Sequence, residues 1–144
     1  MNKNIGFIGI GVMGYHIASH ILRSSNSLNI IHRNSKLTKK FFSKFKKKYK
    51  INIFSSLKEL AKESDIIITC VGNDSDLKKV YLTKDGILEG TKQKTLIIDH
   101  TTASVKISKI LNKKFKKKKF SFISKICENS SKSIVFMGKP GNGQ

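Results

Sequence analysis

The stretch Ile5–Leu22, IGFIGIGVMGYHIASHIL, constrains the rest of the chain more than any other. Ile5–Ile10 is a short apolar run interrupted only by glycine, the pattern of a strand buried on both faces of a parallel sheet. From Val12 the spacing turns helical: Met13, Ile17 and Ile21, with Ala18 and Leu22, form one apolar stripe. Gly9, Gly11 and Gly14 stand between the two periods in G-x-G-x-x-G register. In that register one glycine permits a tight turn, one lets a pyrophosphate approach the backbone, and one lets helix and strand pack closely. A helix opening there aims unpaired N–H groups and its positive dipole end at the phosphates. Strand, glycine turn and helix in this order predict a dinucleotide cradle made of Gly9, Ile10, Gly11, Val12, Met13 and Gly14.

Beyond Leu22 the chain keeps alternating between the two periods. Strands are expected at Leu28–Ile31, Ile51–Phe54, Asp65–Val71, Thr95–Asp99 and Phe120–Ile123. Between them, residues 35–50 place Leu37, Phe41, Phe45 and Tyr49 on one helical face and eight lysines elsewhere. Ser55 or Ser56 caps a short helix through Leu57, Leu60 and Ala61, with Glu59 placed for a capping box. Ser75–Leu82 is a further short helix, and Thr83–Gly90 a loop or single turn. Ser104–Phe115 turns Val105, Ile107, Ile110, Leu111 and Phe115 inward. This alternation predicts an α/β fold of Rossmann type, a doubly wound, mostly parallel sheet with helices on both faces.

The end of the second strand bears on cofactor choice. An Asp or Glu about 20 residues past the glycines hydrogen-bonds an unphosphorylated adenosine ribose, whereas an Arg accommodates a 2′-phosphate. No acidic residue precedes Glu59, and Arg33 stands at the strand tip. NADP is therefore expected over NAD.

A chain of 144 residues forms one domain able to bury about two-thirds of its unfolded surface. No apolar run reaches the roughly 18 residues of a membrane span, and no signal peptide is expected ahead of the first strand. Cys70 and Cys127 lack C-x-x-C spacing and read as reduced thiols, so a cytoplasmic protein with no membrane association is expected. The formal net charge of +20 invites a nucleic-acid partner. Yet the only arginines are Arg23 and Arg33, and base reading favours arginine. The lysines are read as solvated helix faces, with no specific nucleic-acid partner.

These residues resemble the coenzyme domain of the β-hydroxyacid dehydrogenases, the group of 3-hydroxyisobutyrate dehydrogenase and tartronate-semialdehyde reductase. GFIGIGVMGYHIASHIL is similar to the family's N-terminal signature, with Met-Gly inside the glycine loop. HRNS parallels its Asn-Arg-Thr/Ser, which implies 2′-phosphate and ribose roles for Arg33 and Asn34. VGND resembles the segment passing the nicotinamide side, so Val71 and Gly72 inherit that role. IIDHTTAS resembles an Asp-x-Ser-Thr element and makes Thr102 a nicotinamide-ribose contact. The related 6-phosphogluconate dehydrogenases share the glycine loop. The implied reaction is hydride exchange between NADP(H) and a small β-hydroxy acid or semialdehyde.

The resemblance breaks after Ile123, where the family's Asp-x-Pro-x-Ser-Gly-Gly substrate loop is expected. ISKICENSSKSIVFMGKPGNGQ is instead similar to the segment just before the catalytic-lysine helix, and that lysine would follow Gln144. The implied organisation is a dinucleotide-binding domain over 1–123 and, over 124–144, a remnant of the segment leading to a helical substrate domain. On this basis no catalytic residue is assigned, and the chain as written is expected to be inactive. Substrate would bind only in an intact homologue, and oligomeric state is left open. A non-catalytic NADP-binding module, with weak polyanion binding through its lysines, is the alternative.

The remaining reactive side chains carry less. His16 and His20, four apart, lack a third ligand nearby, so no metal site is assigned. His100, near the expected nicotinamide pocket, is the resident acid–base candidate, although a strand-end histidine often serves only the backbone. Cys70 is expected as a small core residue. Binding to DNA or RNA is expected to be sequence-blind and to collapse between about 50 and 200 mM salt. Fluorescence anisotropy with two unrelated oligonucleotides checks this, and a salt-resistant preference for one of them would contradict it.

Overall fold

Two apolar layers, one on each face of a seven-stranded sheet, account for the element order. The computed structural model describes residues 2–31, 35–118, 121–128 and 131–137. The elements are β1 (Ile5–Ile8), α1 (Val12–Ser25), β2 (Ser27–Ile31), α2 (Lys36–Phe45), β3 (Lys50–Phe54), α3 (Leu57–Lys62) and β4 (Ile66–Thr69). They continue with α4 (Asp74–Leu82), α5 (Ile87–Gly90), β5 (Leu96–Asp99), α6 (Val105–Lys117), β6 (Ser121–Glu128) and β7 (Ser131–Met137). The sheet order is β3-β2-β1-β4-β5-β6-β7. All neighbours are parallel except β6 and β7, which pair antiparallel.

Alternation along each strand distributes side chains between the layers. Phe7, Ile30 and Ile68 join the core under α1 and α2, with Leu22, Phe41 and Phe45. Their chain neighbours Ile8, Ile31 and Ile67 join the opposite core with Leu60, Leu77, Tyr81, Ile107 and Phe115. Tyr81 and Phe115 meet edge to face at 5.5 Å, a favoured arrangement for aromatic rings. Helix starts follow the sequence signals. Ser35, Ser56, Asn73 and Ser104 cap α2, α3, α4 and α6, each side chain accepting from an N–H three residues on. Glu59 Oε1 pairs with Lys62 at 2.8 Å, so the capping half observed at α3 is the serine's.

Several boundaries depart from expectation. The buried face of α1 is Gly14, Ala18, Ser19 and Leu22; Ile17 and Ile21 are half-buried, and Met13 is 62% exposed. The stripe begins one residue later because the first turn of α1 stands clear of the sheet. β1 and β4 stop at Ile8 and Thr69, short of Ile10 and Val71, since Gly9 turns the backbone to φ 104. α2 ends at Phe45, where Tyr49 N–H returns to Phe45 O (3.0 Å) and Lys50 begins β3. Past Ile123 the chain stays in the sheet. β6 runs through Glu128, and β7 returns along it from Glu128↔Ser131 to Phe122↔Met137. The division expected at Ile123 thus falls inside β6, and Phe120 lies outside the described residues.

The few acidic side chains tie elements together. Asp65 Oδ2 accepts Asn4 N–H (2.9 Å), fixing the entry to β1. Asp74 accepts both the N–H (2.9 Å) and the hydroxyl of Ser104, joining the starts of α4 and α6. Asp85 accepts the Ser56 hydroxyl and Leu57 N–H (3.2 Å), joining the start of α3 to the loop before α5. Hydrogen bonding to the charged form holds all three below the ordinary carboxylate range, with Asn4, Ser104 and Ser56 the respective leading causes. A depressed carboxylate contributes stability that is complete above its unfolded value, about 3.9, and is lost as pH falls through its folded value. Chemical denaturation midpoints are therefore expected to decline below about pH 4. In Asp74→Asn/Asp85→Asn protein the midpoint should be lower at pH 7 and the decline shallower. An acid limb as steep as that of the wild type would remove these carboxylates from the account.

Candidate functional site

A cleft of ≈ 470 Å³ opens beyond the carboxyl ends of β1, β4 and β5. It lies where the crossover from β1 leads to β2 on one side while β4 stands on the other, the switch point at which doubly wound sheets bind ligands. Backbone forms its floor. Cys70 N–H donates to Ile8 O (2.9 Å), and a Cβ on Gly9 would lie 2.1 Å from Cys70 O. A Cβ on Gly14 would lie 1.9 Å from Gly9 O. Gly14 therefore lets the first turn of α1 sit against the chain leaving β1.

Gly11 is different. A Cβ there would meet none of the described residues within 4 Å, and its φ of −94 suits any residue. Neither packing nor backbone conformation calls for glycine at this position. A ligand pressed against the peptide would. Gly11 is also the N-cap of α1 and offers no side-chain acceptor, and the first turn contains no acid. The amide end of a 14-residue helix thus faces the cleft without a cap or a negative charge of its own, a fit for an anionic group. Val12, 80% exposed, and Met13 give this rim an apolar surface suited to a flat ring or a sugar.

The other walls come from three further segments. Val71 and Gly72 follow β4, His100 and Thr102 follow β5, and Ser35, Leu37 and Thr38 come from the start of α2. The cleft thus brings together Gly9, Ile10, Gly11, Val12, Met13, Gly14, Val71, Gly72 and Thr102 of the expected residues. Arg33 and Asn34 lie outside the described residues. Thr38, whose hydroxyl contacts that of Ser35 at 2.8 Å, and Asp76 were not anticipated as lining. Capping serines recur along this chain, so nothing in the sequence set the one at position 35 apart. His16 and His20 are exposed on α1, and among the described residues no three potential metal ligands cluster.

Cys70 packs half-buried against the core under α1 and α2, as expected of a small core residue, but lies one residue past β4 and also lines the cleft. Burial first, and the nearby Asp99 second, push its thiol up, so it is a poor nucleophile at neutral pH. His100 N–H donates to Thr69 O (2.8 Å), continuing the β4–β5 ladder, while the residue itself lines the cleft. Behind this wall Asp99 is 1% exposed. Its Oδ1 accepts Thr69 Oγ1 (2.7 Å) and Thr101 N–H (3.1 Å), and Thr101 Oγ1 accepts Val71 N–H (3.0 Å). Burial raises the Asp99 carboxyl above its ordinary value, against the pull of its Thr101 and Thr69 hydrogen bonds.

Comparison with known proteins agrees with this geometry. Residues 4–125 match the family model described as the NAD binding domain of 6-phosphogluconate dehydrogenase. An uncharacterized oxidoreductase of Bacillus subtilis is 37% identical over 121 residues, covering 82% of this chain and 39% of that protein. The mitochondrial 3-hydroxyisobutyrate dehydrogenase of Drosophila melanogaster is 31% identical over 123 residues, covering 84% of this chain and 35% of that protein. Among solved structures, the 3-hydroxyisobutyrate dehydrogenase of Mycobacterium tuberculosis superposes with a TM-score of 0.74 at 19% identity, over 90% of this chain and 42% of that one. The chain therefore spans about two-fifths of the length of these relatives.

The contrast between two glycines gives a direct test. Gly14→Ala should cost about 1–3 kcal/mol, because a Cβ cannot enter without moving the β1–α1 turn. Gly11→Ala should cost less than about 1 kcal/mol, the difference between glycine and alanine at a helix N-cap. Denaturant midpoints of the two variants check the ordering, and equal losses would contradict it.

Proposed function

We infer what the cleft does from the kinship of the chain: it belongs to the family of the NAD binding domain of 6-phosphogluconate dehydrogenase. It is the nicotinamide-cofactor domain of a protein of the 3-hydroxyisobutyrate dehydrogenase type. Within that frame we propose NADP(H) as the cofactor and hydride exchange with a small β-hydroxy acid or semialdehyde as the reaction of the whole protein. The observation that carries cofactor binding is the uncapped, acid-free start of α1 above a glycine whose Cβ position is open.

The proposed division of labour follows the walls of the cleft. The backbone from Gly9 to Gly14, including Ile10 and Gly11, takes the pyrophosphate through its amides, and Val12 and Met13 shield it from above. Arg33 and Asn34 take the 2′-phosphate and the adenosine ribose. Val71 and Gly72 pass the nicotinamide side, and Thr102 meets its ribose. The cofactor supplies the hydride, and this domain's task is to fix where it is delivered. No residue of the chain is assigned as the acid–base group.

NADPH is expected to bind more tightly than NADH by roughly ten- to a hundredfold, as one charge-assisted hydrogen bond to phosphate typically gives. Arg33→Ala should narrow that gap while leaving NADH nearly unchanged. Calorimetric titration of both cofactors checks it, and equal affinities in the wild-type protein would overturn the assignment of NADP.

A further inference from the structure

The buried chain of hydroxyls and amides behind the nicotinamide wall ends on a carboxylate that stability alone does not explain. Thr69 Oγ1 has one proton, and with that proton directed to Asp99 Oδ1 (2.7 Å), the Tyr81 hydroxyl donates to Thr69 (2.7 Å). Thr101 N–H donates to the same Oδ1, and Thr101 Oγ1 receives Val71 N–H. Oδ2 is buried and has no well-aligned hydrogen-bond partner among the described residues. Thr69, Asp99 and Thr101 are each at most 1% exposed. A carboxylate whose Oδ2 lacks a well-aligned hydrogen bond, and which burial raises against the pull first of the Thr101 hydroxyl, is a poor choice for a core that apolar residues of similar size could fill. Departures of this kind collect where function fixes a conformation.

The bonds run to the two turns that wall the cleft. Asp99 holds the peptide of Thr101, Thr101 holds the peptide of Val71, and Thr102 follows directly. β4 and β5 end at Thr69 and Asp99, and the ladder reaches one residue further on each, through Cys70 N–H to Ile8 O and His100 N–H to Thr69 O; the Val71 and Thr101 peptides beyond are held by the Thr101 and Asp99 side chains. We propose that Asp99 is a positioning residue for the nicotinamide half of the cofactor, acting through Thr101 to lock Val71 and Thr102 into one arrangement. This rests on the cofactor reading above and adds a residue that touches neither cofactor nor cleft. The adenosine half is walled by α1 and the start of α2, which the network does not reach.

That separation makes the test. NADPH and adenosine 2′,5′-bisphosphate, which lacks the nicotinamide half, are titrated against wild-type, Thr101→Val, Asp99→Leu and Asp99→Asn protein. Thr101→Val keeps the shape and removes the acceptor for Val71 N–H, so it carries the test even if Asp99→Leu fails to fold. Thr101→Val and Asp99→Leu should weaken NADPH about tenfold, the order expected when a buried donor loses its partner, and reduce the fluorescence change of the bound reduced nicotinamide. The bisphosphate should bind all variants within about twofold of wild type. Asp99→Asn keeps an Oδ1 acceptor and should retain both affinities. Parallel loss of both ligands in Thr101→Val would show a general structural role and overturn the proposal, as would wild-type NADPH affinity in that variant. Loss of NADPH binding in Asp99→Asn would overturn the role given to Oδ1. Wild-type protein that binds neither NADPH nor NADH would overturn the cofactor reading itself, a result that needs no variant.

Discussion

Three stretches of backbone meet around Gly9, and the rest of the molecule is arranged to permit that meeting. The chain leaving β1 touches the chain leaving β4 on one side and the first turn of α1 on the other, at separations that leave no room for a Cβ. Close packing there brings the amide end of α1 to the sheet edge, so a phosphate bound at that end lies next to the turns after β4 and β5. A methyl group at Gly14 would push the helix start away from those turns. The cleft is thus set by backbone contact, and the side chains on its rim refine it.

The same economy governs charge. Twenty-nine basic side chains face nine acidic ones, so most lysines have no acid to pair with, and the described structure holds only three ion pairs, all at half-exposed side chains. Pairs so placed contribute little. Several acids serve as acceptors for backbone and hydroxyl donors between elements. Some lysines lie over aromatic rings, as Lys44 does over Phe45 at 5.4 Å and Lys48 over Tyr49 at 5.5 Å. A chain this basic keeps its fold by spending few carboxylates at junctions that matter.

How legible the protein was in its sequence depends on the range of the interaction concerned. Local signals were read well: Ser56, one of the two serines expected to cap α3, does cap it, and the glycine register opens α1 at the expected residue. Burial around a helix was read less well, because Met13 has helical spacing but stands past the sheet edge, largely exposed among the described residues. Cys70 was placed in a strand that the turn at Gly9 cuts short. β7 was missed because antiparallel return of the chain depends on β6 offering a free edge, which no local pattern announces. The hydrogen bonding of Asp99 was out of reach for the same reason, since its partners lie on β4 and in the turn beyond β5, 30 and 2 residues away.

The bare amide end of α1 has a thermodynamic consequence. A dinucleotide seated there serves the helix as the cap its own sequence withholds, and it does so only in the folded chain. Folding and cofactor supply are therefore linked by mass action. At a free concentration a hundred times the dissociation constant, ligand binding adds about 2.7 kcal/mol to the stability of the folded form. For a domain whose total margin is of the order of 5–15 kcal/mol, that is a substantial share. With the cofactor bound as proposed, the abundance of the folded protein would follow the nicotinamide pool around it.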